Sequence, residues 1–187
     1  MYLNFDEASK VLELAKNGDP DAQCRYAKYL YQRDYELPRE QEEMAEELFL
    51  KAALQGHVEA HYGLGHFYEY ALHFRDIEKS LEWYHKGAEL GDVEAQHRLG
   101  SIYHPSSTYD QYGEKIQRDI DKAIMWYTRA TEQGHSTSMS CLGRMYHNGD
   151  GVERDDKQAV EWFRKAVRDE HIGAQRILDM FYSNFEN

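Results

Sequence analysis

Two short phrases alternate along this chain at a fixed offset, and that alternation leaves few folds open besides a stack of helix pairs. The first phrase is a Gly, a small residue four positions on, and a Leu-Gly pair at the eighth and ninth positions. It runs from Gly56 to Tyr68, from Gly91 to Tyr103 and from Gly134 to Tyr146, with weaker copies starting at Gly18 and Glu170. The starts are roughly 35 to 43 residues apart, the period range of helical repeats. The second phrase is built around Trp83, Trp126 and Trp162, with Leu48 in the same place in the first copy. Each of these precedes the next repeat start by eight residues. Each repeat is therefore a pair of helices: A, after the Gly, and B, around the Trp.

The chemistry of each part supports this reading. Gly18, Gly56, Gly91 and Gly134 stand where helix B ends, where a left-handed residue lets the chain turn. Asp19 and Pro20 form an N-cap and first-turn pair. Gly65, Gly100 and Gly143 let A and B approach closely. Leu64, Leu99 and Leu142 lie four residues from Tyr68, Tyr103 and Tyr146, on one apolar stripe. The three Trp side chains are expected to fill the space between neighbouring repeats. The map is a terminal helix at 5–16, then A1 20–32, B1 40–54, A2 58–70, B2 77–89, A3 93–104, B3 119–133, A4 137–147, B4 156–168 and A5 172–183. The segment 104–117 is an insertion, and 32–41 is a smaller irregular loop.

These phrases resemble the Sel-one-like repeat family, relatives of the tetratricopeptide repeat. The resemblance extends over about residues 8 to 184 and is best from Ala123 to Ala166, where residues 147–159 look like the family's connecting loop. It implies an all-α, right-handed superhelical solenoid of about four to five antiparallel helix pairs, a single domain over 1–187. It also implies a bacterial protein that binds another protein. Glu170, Asp179 and Ala27 depart from the pattern, as terminal repeats often do.

Charge narrows the partners. The net charge is −12, from 34 acidic and 22 basic side chains. That field repels nucleic acid and favours a basic protein surface. Cys24 and Cys141 are too few for a disulfide framework, Met1 to Glu7 does not read as a signal peptide, and no apolar stretch is long enough to span a bilayer. A cytoplasmic protein without membrane insertion is expected.

No catalytic, cofactor or metal site is expected. His57 and His61 are spaced i, i+4, but HVEAH lacks the Glu of HExxH. His57, His135 and His171 share one repeat slot with Asp residues, which reads as structural. The acidic loop 148–156 lacks the EF-hand ligand order, with Asp155 read as the N-cap of B4. Cys141 reads as a packing residue. The paired cysteines of secreted relatives linked to β-lactamase activity are absent, so a hydrolase is the least favoured reading.

Solenoids of this kind bind on a concave face lined by their A helices. By analogy with tetratricopeptide repeats, the candidate groove residues are Glu59, Tyr62, His66 and Glu69 from A2. A3 contributes Glu94, His97, Ser101 and His104, A4 contributes Arg144 and His147, and A5 contributes Arg176. Asp21, Lys28 and Tyr31 extend the face into A1. Tyr and Arg are common binding anchors. The expected role is non-enzymatic protein binding. An immunity protein neutralising a secreted toxin, such as a basic nuclease, is the alternative.

Overall fold

Why the chain turns where it does is visible at the repeat starts. In the computed structural model, which describes residues 5–32, 37–105, 118–168, 175 and 178–179, Gly18, Gly56, Gly91 and Gly134 have φ values of 93°, 83°, 93° and 84°. The preceding helix ends in a Schellman motif at each. His57 N–H donates to the Ala52 carbonyl at 3.0 Å and Gly56 N–H to Ala53 at 2.9 Å, and Asp92 repeats the pattern onto Gly87 at 2.9 Å. The residue after the Gly then serves the next helix. Asp19 Oδ1 and Asp92 Oδ1 each accept a backbone N–H, from Ala22 and Ala95, at 2.7 Å. His135 Nδ1 accepts from Ser138 N at 3.2 Å. One residue thus serves two helix ends, its backbone N–H the one before and, in Asp19, Asp92 and His135, its side chain the one after.

The described elements are all helices: α1 Phe5–Lys16, α2 Pro20–Gln32, α3 Arg39–Leu54, α4 Val58–Tyr70, α5 Ile77–Glu89, α6 Val93–Tyr103, α7 Ile120–Glu132, α8 Ser136–Asn148 and α9 Asp156–Arg168. They follow the expected order with ends shifted by about one residue. Asp155 caps α9, accepting from Lys157 N and Gln158 N at 2.9 and 3.0 Å. Most of the insertion and most of the expected A5 lie outside the described residues.

Residues Met1–Ala95 and Gln96–Asn187 form two compact units, the division falling within α6. In the first, each of α1 to α5 packs on its neighbours in sequence, and α2 also meets α4. Its core runs through Cys24, Ala27, Phe49, Ala52, Leu64 and Phe67. In the second, α8 packs on α7 and α9, around Met139, Ala159, Phe163 and Ala166.

The close approach of A and B has a specific cause. A Cβ at Gly65 would lie 2.5 Å from the Tyr84 ring, one at Gly100 2.6 Å from Tyr127, and one at Gly143 2.8 Å from Phe163. Each of these three A-helix glycines is the seat of an aromatic ring from the following B helix. This corrects the expectation for tryptophan. Trp126 is 4% exposed, but Trp83 and Trp162 are only half-buried, whereas the residue after each is sealed inside. The Trp faces instead carry cations three residues on. Lys86 lies 4.1 Å from Trp83, Arg129 4.8 Å from Trp126 and Lys165 4.3 Å from Trp162.

Candidate functional site: the A-helix face

In the first unit the A helices α2 and α4 stand side by side, and aromatic side chains fill the seam between them. Lys28, Tyr31, Phe49, Tyr62, Gly63 and His66 line a cavity of about 130 Å³. The Tyr31 hydroxyl donates to the His66 carbonyl at 3.4 Å, and the two rings meet edge-on at 5.5 Å. His66 also packs on Tyr62 at 6.1 Å and on Tyr70 at 4.7 Å, and Tyr62 packs on Tyr84 at 5.7 Å. Phe49 reaches the floor from α3 because Gly63 has no side chain to block its ring. At the rim, Lys28 forms an ion pair with Glu59. The arrangement is a rigid aromatic recess with a cation and a carboxylate at its edge. Its size is close to the ~150 Å³ that accommodates a benzene ring.

In the second unit α6 and α8 carry a polar counterpart. His97 Nδ1 and His135 Nδ1 both contact Ser138 Oγ, at 2.9 and 2.8 Å, and their rings are 4.6 Å apart. Ser138 is fully buried. Its N–H donates to His135 Nδ1, so that nitrogen is an acceptor. His97 also packs on Tyr127 at 5.6 Å, and the Tyr127 hydroxyl donates to Ser101 Oγ at 3.1 Å. Beyond α6, burial pushes the His104 imidazole below its usual range. Asp150 works against that shift and Arg144 adds to it. His147 contacts Asp156 at 2.7 Å, and Arg154 donates to the same carboxylate at 2.9 Å. The Arg154 hydrogen bond and then His147 hold the Asp156 carboxyl below the ordinary Asp range.

The residues expected to line the groove therefore divide. Glu59, Glu94 and Arg144 are exposed, and Tyr62, His66, His97, Ser101, His104 and His147 are half-buried and engaged with neighbours. Glu69 is corrected. It is 1% exposed, and its carboxylate accepts the Tyr84 hydroxyl at 2.7 Å inside the helix pair, so it offers nothing to a partner. Its position was read from spacing alone, which does not distinguish a helix flank that a neighbouring B helix covers. Arg176 lies outside the described residues. Sequence reasoning missed Phe49, which comes from a B helix. The signal available was its place one residue after Leu48, in the slot held elsewhere by Tyr84, Tyr127 and Phe163. Among the described residues no helix is long and apolar enough to cross a membrane.

Antiparallel helix pairs repeating at this period define an α-helical repeat solenoid. The Sel1 repeat model matches residues 20–57, 58–92, 93–135 and 138–171, and the chain belongs to that family. The family is in general a non-enzymatic repeat scaffold whose repeats typically mediate protein–protein interaction. Among solved structures, the chain is similar to a protective antigen of uropathogenic Escherichia coli with an SLR fold. That match has a TM-score of 0.78 at 28% identity and covers 97% of this chain and 37% of the other. It is similar to a Sel1 repeat protein of Oxalobacter formigenes with a TM-score of 0.73 at 28% identity, covering 94% of this chain and 48% of the other. The chain thus spans less than half the length of either. An immunity protein of Pseudomonas aeruginosa shares the fold, with a TM-score of 0.58 at 22% identity over 87% of this chain and 57% of its own. No curated protein matches the chain significantly.

Proposed function

We propose that this protein is a non-enzymatic interaction module that holds a partner protein on its A-helix face. The observation that carries this reading is the recess between α2 and α4. Its aromatic rings are locked by their own contacts, so little side-chain entropy is lost on binding. A recess of about 130 Å³ takes one apolar or aromatic side chain of a partner, with Lys28 and Glu59 set to engage polar groups beside it. Aromatic anchors in such pockets dominate binding energy. The expected groove residues, apart from Glu69, remain the proposed contacts, within a repeat array that extends over 1–187.

The net charge of −12 favours a basic partner. On that ground the finer reading is an immunity protein that meets a secreted bacterial toxin, a basic nuclease being the type that fits, in the cytoplasm. The shared fold of the Pseudomonas immunity protein is compatible with it. A toxin gene beside this reading frame supports the immunity role, and an envelope or signalling operon supports a regulatory adaptor.

The test is affinity capture from the native host with quantitative mass spectrometry. The groove variant carries Tyr62→Ala, His66→Ala and Arg144→Glu. A control carries Glu47→Lys and Lys165→Glu, two exposed B-helix positions. Capture is lost with the groove variant and kept with the control. Equal capture by both, with both folded by circular dichroism, removes the groove assignment.

A further inference from the structure

Glu59, at the rim of the groove, also belongs to a set of side chains from α2 and the start of α4 that sequence spacing could not bring together. Cys24 lies in α2, while His57 caps α4 and Glu59 lies in its first turn. One ligand atom from each, the Cys24 sulfur, a His57 ring nitrogen and a Glu59 carboxylate oxygen, all lie within 4.8 Å of one another. We propose that Cys24, His57 and Glu59 form a binding site for a divalent zinc-type cation.

Three features of His57 and its neighbours argue for this. First, His57 departs from its repeat. Asp19, Asp92 and His135 use their side chains to cap the helix that follows, and His57 makes no such bond. Its Nδ1 is buried with no hydrogen-bond partner. A buried polar atom without a partner is destabilising unless something occupies it. Second, its Nε2 stands 3.8 Å from Asp21 Oδ1. That is longer than a hydrogen bond; a metal-bound imidazole usually donates its other N–H to a carboxylate, and a small side-chain movement brings Asp21 into that role. Third, sulfur, nitrogen and oxygen donors in one cluster match the borderline-soft preference of zinc, and a fourth position stays open to water. Ligand atoms around tetrahedral zinc are about 3.5 Å apart, so the cluster closes onto an ion with movements of about 1 Å.

Lys28 is ion-paired with Glu59, so the cation has to displace its ammonium. Burial pushes the Cys24 thiol up to about 12, so the sulfur carries its proton. Binding therefore replaces the thiol proton: Zn²⁺ and Cys–SH give a Zn–S bond and one released H⁺, so affinity rises with pH. Cys141, in α8, is outside the cluster and serves as an internal control.

The experiment uses the tag-free full chain titrated with Co²⁺, then with Zn²⁺ as competitor, alongside Cys24→Ser, Glu59→Gln and Cys141→Ser. The expected result is one equivalent of Co²⁺ with a thiolate-to-cobalt charge-transfer band that Zn²⁺ abolishes. The band is lost in Cys24→Ser and kept in Cys141→Ser. Affinity falls at least about tenfold in Glu59→Gln, an exposed position that should not disturb folding. Should Cys24→Ser fail to fold, the wild-type band together with the Glu59→Gln affinity decides. The proposal is overturned by absence of saturable binding, by binding without a thiolate band, by a band that survives Cys24→Ser, or by unchanged affinity in Glu59→Gln. Cobalt binding is read on the free chain and partner capture with Tyr62, His66 and Arg144 varied, so failure of one leaves the other standing.

Discussion

Gly65→Ala is the substitution on which intrinsic propensity and packing disagree most sharply. Within a helix, Ala is favoured over Gly by about 1 kcal/mol, so propensity alone predicts a more stable protein. Packing predicts the reverse. The new Cβ would lie 2.5 and 2.6 Å from Tyr84 Cδ1 and Cε1, where ordinary contact is 3.4–4 Å. The ring must move by about 1 Å, and overpacking of this kind costs about 1–3 kcal/mol. Tyr84 has nowhere to go. It is fully buried, and its hydroxyl is tied to the buried Glu69 at 2.7 Å. Stretching that charge-assisted bond forfeits about 1.5 kcal/mol more. With the helix gain subtracted, the net loss is about 2.5 kcal/mol, a fall in melting temperature of roughly 5–10 °C for a chain of this size. In a Tyr84→Phe background the hydrogen-bond share is already gone, and Gly65→Ala should cost only about 1 kcal/mol. Urea titrations and thermal melts followed by circular dichroism measure all four proteins. A melting temperature that rises in Gly65→Ala refutes the packing argument.

The remaining expectations follow from the same geometry. Phe163→Ala removes a fully buried ring and should cost about 3–5 kcal/mol, whereas half-buried Trp162→Ala should cost less than about 2 kcal/mol. Equal losses in denaturant titrations would reverse the assignment of which ring carries the core. Burial, with Glu59 and Glu94, pushes the Asp92 carboxyl above its ordinary range, the Ala95 N–H working the other way. The folded state then holds that proton more tightly than the unfolded state, so its contribution is present at low pH and lost as pH rises through the folded value. Asp92→Asn keeps the cap and removes the charge. Its melting temperature should exceed the parent's at neutral pH and the gap should close toward about pH 4. A gap that widens on acidification contradicts this.

How far the sequence reaches depends on the kind of residue. The recurring Gly at 18, 56, 91 and 134 could be read outright, because a left-handed turn between helices leaves few other choices. Asp19 and Asp155 could be read as caps for a similarly local reason. Trp83 and Trp162, unlike Trp126, could not be placed correctly. A large side chain at a regular interval looks like core, yet position on the helix decides, and the next residue occupies the seat opposite the A-helix glycine. Glu69 was unreadable because its environment is made by Tyr84, fifteen positions away. The cluster of Cys24, His57 and Glu59 joins two repeats, and no spacing rule relates residues across a repeat boundary.

Whether a partner protein sits on the A helices is read from hydrogen–deuterium exchange of the captured complex against the free protein. New protection is expected in α2 and α4, greatest around Tyr31, Tyr62 and His66, with α3 and α5 little changed on their outer faces. Protection confined to α3, α5, α7 or α9, with α2 and α4 unaltered, would contradict that placement.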